Sequence, residues 1–405
     1  MFEQSHRRNF TNELLFALIG LFGIVGQTWA LSFAYVANQN SDNVSAYTID
    51  AGTGVLTPVT GSPFPAGDAP RSVTVSPNGA FAYVANLISS NVSAYTINAV
   101  TGTLTPVADS PFTAGTAPTS VTVSPNGAFA YVANIGGGVS AYTINAVTGA
   151  LTPVAGSPFT AGTASNSVTI SPNGAFAYVT NQGSDNISAY TIDASTGALT
   201  PVVGSPFAAG DGSSSVAISP NGAFAYVANY LSDNVSAYPI DVGTGALTPV
   251  AGSPFAAGDG PFSIIVSPNG AFAYVANSNT TTVSAYTIAA GTGALTPVAG
   301  SPFAAGDGPF SVTVSPNGTF AYVANIDSNT VSAYTIATGT GVLTEVTGSP
   351  FATGAAPISV TVSPDLAPVP PPAVVSIPTL SPIGYILLTL ALIVAVAVQR
   401  RRPSR

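Results

Sequence analysis

Chemistry in this chain has few side chains to draw on. Between residues 31 and 365 there is no His, Lys or Cys, Glu345 is the only Glu, and Arg71 is the only basic residue. General acid–base catalysis most often uses His, with Glu, Asp, Lys, Tyr or Cys as alternatives. A Ser–His–Asp arrangement, a thiol nucleophile and a His- or Cys-ligated metal centre are therefore excluded from this stretch. Asp is the group left in number: thirteen of them, with Glu345 and Arg71, give the stretch a net charge of −13. Eight of the thirteen, Asp42, Asp68, Asp185, Asp211, Asp233, Asp259, Asp307 and Asp327, fall in two recurring loop positions. No catalytic residue, metal site or cofactor is assigned from this inventory. Nucleic acid is excluded as a partner, because phosphate contacts need Lys and Arg.

The elements that must position these loops form a repeat. Phe-Ala-Tyr-Val recurs with its Phe at 33, 81, 129, 176, 224, 272 and 320, a spacing of 48 residues with one step of 47. Periods in the forties with four strand signals each indicate propeller blades. Residues 72–76 (SVTVS) alternate hydroxyl and valine, as a period-two strand does. Asn78-Gly79 then makes a hairpin turn into residues 80–85. Residues 92–97 form a third strand and 103–107 a fourth, and the Ser110-Pro111-Phe112 corner leads onward. The fold class is all-β, a seven-bladed β-propeller of four-stranded blades. Phe81, Tyr83, Tyr95 and their equivalents are expected in the packing between blades, since buried aromatics dominate core energetics. The first repeat starts at a second strand (32–37), and the last ends on a surplus first strand (359–363). Pairing these two closes the ring and removes an open sheet edge.

Tyr83, Val84, Ala85 and Asn86 with their copies, Tyr178-Val179-Thr180-Asn181, and the Ser-Val-Thr-Val-Ser-Pro-Asn-Gly run at 72–79 resemble the YVTN-repeat, lactonase-like propellers. The likeness spans residues 31–365. It implies lactone hydrolysis of the 6-phosphogluconolactonase type as one activity, which here would have to use carboxylates. The missing side chains and the uniform repeats favour a non-catalytic binding or structural scaffold instead. In propellers of this kind the loops after the second and fourth strands share one face. Asp42, Asp185, Asp233 and Asp327 lie in the first set; Asp68, Asp211, Asp259 and Asp307 lie in the second. They occupy repeats 4, 5, 6, 7 and 1, consecutive around a closed ring. Turn positions favour Asp for local hydrogen bonding, which is the plain reading of these residues. The functional reading is a surface for a cation or cationic partner, although no calcium-loop spacing occurs. Arg71 is expected to pair with nearby Asp68 at the surface, where such a pair is worth little.

Both ends read as addresses. In residues 1–30, His6, Arg7 and Arg8 precede an apolar core at 14–25 and the small-residue site Thr28-Trp29-Ala30, the pattern of a secretory signal peptide. Residues 366–376 form a Pro-rich spacer. In residues 377–405, Ile377, Pro378, Thr379 and Leu380 precede an apolar run and Arg400, Arg401 and Arg402. This resembles the IPTL-CTERM sorting signal, which implies processing by an exosortase-type peptidase in a Gram-negative bacterium. A transmembrane helix is expected over the apolar run, its arginines on the cytoplasmic side. The expected partners are signal peptidase, the sorting peptidase, the membrane, and an envelope protein, polysaccharide or cation at the propeller. The expected location is the cell surface, anchored or released.

Overall fold

The computed structural model describes residues 32–365. The segments expected to be a signal peptide, a Pro-rich spacer and a sorting signal with a transmembrane helix lie outside the described residues. Among the described residues every regular element is a β-strand. The strands form seven sheets, and the innermost strands of successive sheets lie side by side around a closed ring. We number the blades 1 to 7 in order of their Phe-Ala-Tyr-Val strands.

Blade 2 shows the local logic. From axis to rim it runs Pro70–Val75, Phe81–Asn86, Asn91–Ile97 and Leu104–Pro106. The two-residue strand Phe112–Thr113 pairs back onto Asn91 and Val92. The Ser-Pro-Asn-Gly turn holds itself: Gly79 N donates to Ser76 O at 2.8 Å, Ala80 N to Asn78 Oδ1 at 3.0 Å, and Phe81 N to Ser76 Oγ at 2.9 Å. Gly79 sits at φ +70°, a conformation that glycine adopts without steric cost. The outer turns of blades 1, 4 and 5 use a carboxylate in the same way. Asp193 Oδ1 accepts from the backbone and hydroxyl of Ser195 and from Thr196 N. Those hydrogen bonds lower its pKa to about 2. Asn86, the last residue of its repeat tetrapeptide, is fully buried. Its Nδ2 donates to Asn91 Oδ1 at 2.7 Å and Ser93 Oγ at 2.9 Å, which ties the second strand to the third.

The Phe-Ala-Tyr-Val-Ala pattern explains why the blades stack. Side chains alternate across a strand, so Phe81, Tyr83 and Ala85 face blade 3, whereas Ala82 and Val84 face blade 1. A large face therefore meets a small face at every interface, and the core is seven inter-blade layers instead of one central cluster. Two rings of tyrosines fasten these layers. Tyr83 OH donates forward to Gly149 O of the next blade at 3.0 Å. Tyr95 OH donates backward to Pro65 O of the connection from blade 1. Each bond recurs around the ring, and Tyr322 OH carries the first kind across the closing seam to Gly54 O at 3.1 Å.

Closure follows the expected pairing. Pro357–Val362 is the inner strand of blade 1, with Val360 opposite Val36 and Ser359 opposite Ala37. Ser363 replaces the missing turn serine. Its Oγ accepts from Phe33 N at 2.9 Å, and its own N donates to Phe33 O at 2.8 Å. The contacts that a hairpin makes locally in blade 2 are thus made here between residues 330 apart.

Candidate functional site

The inner strands open onto the axis through a shared irregularity. In blade 2, Pro70 pairs with Asn86 and Ser72 with Ala85, so Arg71 is extruded as a β-bulge. The same shift recurs in the other six inner strands. Bulges re-aim a side chain and are frequent beside active sites. Here they create a ring of Arg71, Thr119, Asn166, Ser214, Phe262, Phe310 and Ile358 around an axial cavity of about 100 Å³. The ring is two-sided. Thr119, Asn166 and Ser214 make a polar arc, and Phe262, Phe310 and Ile358 an apolar one.

Arg71 bridges the two arcs. Its guanidinium carbon lies 5.4 Å from the Phe310 ring centroid and 5.8 Å from that of Phe262, within cation–π range. Phe262 and Phe310 are 3.7 Å apart by centroid, and Tyr230 meets Phe262 edge-on at 6.0 Å. The expected surface pair with Asp68 is not formed. Burial alone lowers the Arg71 pKa, and no carboxylate contributes. The bulge turns the side chain toward the axis, whereas the exposed Asp68 sits in the loop outside. The guanidinium keeps its charge and has no anionic partner among the described residues.

One step along each inner strand lies a ring of serines: Ser72, Ser120, Ser167, Ser215, Ser263, Ser311 and Ser359. Most of them staple neighbouring blades. Ser72 Oγ accepts from Val121 N at 3.2 Å, and Ser359 Oγ from Val73 N at 3.2 Å across the seam. Thr119 and Ser214 hydroxyls donate to backbone carbonyls. Asn166 Nδ2 donates to Ser214 O at 2.7 Å.

The acidic loops do share the face at which this funnel opens. Backbone bonds such as Leu87 N to Ala69 O and Tyr230 N to Gly212 O join the two loop sets. All eight aspartates are exposed. Asp42, Asp185 and Asp233 hold positive φ in their turns and accept from Ala69 N, Gly212 N and Gly260 N at 2.7–2.9 Å. Their carboxylates clamp consecutive loops. Asp68, Asp211, Asp259 and Asp307 stand three residues ahead of Arg71, Ser214, Phe262 and Phe310, at the funnel mouth. Asp259 Oδ1 accepts from Asn279 Nδ2 at 2.9 Å, and Asn279 Oδ1 accepts from Tyr230 OH at 3.2 Å. Asp327 N bonds to Asp307 O in blade 7. Among the described residues, no three carboxylates gather as a metal-binding group would. Glu345 is exposed on an outermost strand.

The sequence profile described as "Lactonase, 7-bladed beta-propeller" matches residues 28–213 and 167–362. The chain belongs to this lactonase family. No curated protein matches it in sequence. Among solved structures, one named as a candidate 6-phosphogluconolactonase from Bacteroides uniformis shares 23% identity at a TM-score of 0.73, covering 82% of this chain and 99% of its own. The periplasmic gluconolactonase of Pseudomonas aeruginosa shares 20% at a TM-score of 0.71, covering 83% and 99%. These similarities establish the fold. The family match favours the lactonase-like alternative over the scaffold reading.

Within this lactonase-family chain, the axial ring is what reading the repeats one by one overlooks. The repeats, expected to be uniform, differ most at the bulged position of the inner strand. Aligned on the serine of the first strand (Ser72 and its equivalents), the preceding residue reads Arg, Thr, Asn, Ser, Phe, Phe and Ile, while its neighbours stay nearly constant. That variable column was the available signal. Phe262, Phe310 and Tyr230 are also the only aromatic residues between 32 and 365 outside the repeating positions. All three converge with the one cation.

Proposed function

We propose that the protein is an exported lactonase-type propeller that receives a small lactone in the axial funnel. The observation that carries this reading is the convergence of every off-pattern aromatic and the single cation on the axis of a lactonase-family fold. A guanidinium beside the stacked aromatic pair, with no carboxylate partner among the described residues, donates to a carbonyl oxygen and stabilises the negative charge that develops there when water attacks. Asn166 and the hydroxyls of the polar arc orient the remainder of the molecule. The ring carries no His or carboxylate, so the proton leaving the attacking water passes to solvent or to carboxylates at the mouth. Arg71→Met keeps the length of the side chain and removes its charge and donors. It is expected to lower kcat/KM for D-glucono-1,5-lactone about tenfold or more, the scale of a lost hydrogen bond to a charged group. A pH-stat assay checks this, and an unchanged rate would remove Arg71 from the mechanism.

A second reading, a binding protein without turnover, is favoured by the absence of His, Lys and Cys from residues 31–365. Lactone binding by calorimetry without hydrolysis would select it. The address is part of the proposal. Export rests on the pattern in residues 1–30 and surface retention on residues 377–405. A chain ending at residue 376 is expected to lose envelope retention on cell fractionation, and unaltered retention would refute that part.

A further inference from the structure

We infer that the site takes an uncharged sugar lactone and discriminates against a phosphorylated one. The inference rests on the lactone-hydrolase reading above and names its substrate class. A phosphate monoester brings nearly two negative charges and three strong acceptors, and it is held by clustered Arg or Lys. Arg71 is the only such residue between 31 and 365, and it already lies against Phe262 and Phe310. If it serves the lactone carbonyl, no second cation is left for a phosphate.

The mouth adds an opposing field. Four of the seven inner strands are entered through a loop carrying a carboxylate three residues ahead of the ring: Asp68, Asp211, Asp259 and Asp307. Asp259 is fixed to the aromatic wall through Asn279 and Tyr230. A cleft edged by one sign of charge repels ligands of that sign and slows their entry. The ring itself suits a neutral sugar. Phe262, Phe310 and Ile358 offer an apolar wall to the C–H side of a pyranose, with Tyr230 packed edge-on behind Phe262. Asn166, Thr119, Ser214 and the serine belt offer polar groups to its hydroxyls.

Turnover then reverses the charge relation. Water adds to the carbonyl carbon, the ring C–O bond breaks, and the alkoxide oxygen takes up a proton. The resulting carboxylic acid gives its proton to solvent and becomes a carboxylate. The neutral substrate passes the acidic mouth unopposed, whereas the anionic product is expelled through it. Inhibition by the aldonate product is therefore weak at low ionic strength and strengthens as salt screens the mouth, contrary to ordinary ion pairing with an arginine.

The test compares D-glucono-1,5-lactone with its 6-phosphate on the mature protein by pH-stat, at about 0.01 M and about 0.1 M salt, where the Debye length falls from ~30 to ~10 Å. The expected result is kcat/KM about tenfold or more in favour of the neutral lactone at low salt, with the gap narrowing at the higher salt. Electrostatic effects on association span this range. Equal or preferred turnover of the phosphorylated lactone at low salt overturns the substrate class and leaves the hydrolase reading standing. Turnover of neither, with no heat of binding for either, overturns the hydrolase reading and this inference with it.

Discussion

A chain ending at Ala356, without the Pro357–Val362 strand, is expected to fail to form a monomeric propeller. The missing strand supplies Ile358 and Val360 to two separate inter-blade layers, and burying two such side chains is worth about 3–6 kcal/mol. Its loss also strips the ladder from Ala34–Asn38 and leaves Tyr35 and Val36, which are fully buried in the closed ring, beside an open edge. An exposed hydrophobic edge invites pairing between chains. Since whole domains are stable by only about 5–15 kcal/mol, the shortened chain should elute as aggregates in size-exclusion chromatography and lose its cooperative melt. A soluble monomer with an unshifted melting transition would show that ring closure is dispensable, and the present account of stability would be wrong.

Gly149→Ala is expected to destabilise the propeller by about 2–5 kcal/mol, and Gly127→Ala by only about 1–2 kcal/mol. The pair isolates one variable. Both glycines lie in blade 3 with similar backbones, φ +76° and φ +71°. Each alanine would carry the cost of a left-handed conformation, about 1–2 kcal/mol. The difference is space. A Cβ at Gly149 would stand 2.4 Å from Cδ1 of Phe81 in the preceding blade, whereas at Gly127 nothing lies within 4 Å. Phe81 cannot yield easily, because it fills the layer between blades 2 and 3, and overpacking such a site costs about 1–3 kcal/mol. Gly149 O also accepts the Tyr83 hydroxyl, so a displaced turn loses that bond as well. Urea unfolding of both variants measures the difference, and matching midpoints would mean that the blades do not interlock at this turn.

The same interlock would make the ring sensitive at its seam. Gly54 stands against Phe320 as Gly149 stands against Phe81, with a Cβ-to-ring distance of 2.4 Å in each case. Blade 7 thus grips blade 1 with the contact used at every other interface, although their sequences lie at opposite ends of the repeat array. A ring built this way has no weaker closing joint by packing. The chain break lies inside blade 1, between its inner strand and Ser32–Asn38, and Ser32 Oγ spans it by donating to Asp365 Oδ1 at 2.6 Å.

The repeat spacing, the Asn-Gly hairpins and the surplus terminal strand were enough to determine blade number, strand order and closure. Those features are local and periodic, and each is set by turn chemistry or by alternation within a few residues. Alternation also placed Phe81 and Tyr83 in the core, because a blade has no other face on which to bury them. The functional constellation belongs to another class. Arg71, Asn166, Tyr230, Phe262 and Phe310 come from five blades and are as much as 239 positions apart in the chain. Their meeting depends on a bulge that shifts each inner strand by one residue. A one-residue shift changes the face to which a strand side chain points, and no composition or turn signal marks it. Asp68 is three residues from Arg71 in sequence, yet the tertiary structure gives the guanidinium to Phe262 and Phe310 instead. Sequence nearness decided the expected partner, and the geometry of the axis decided the actual one.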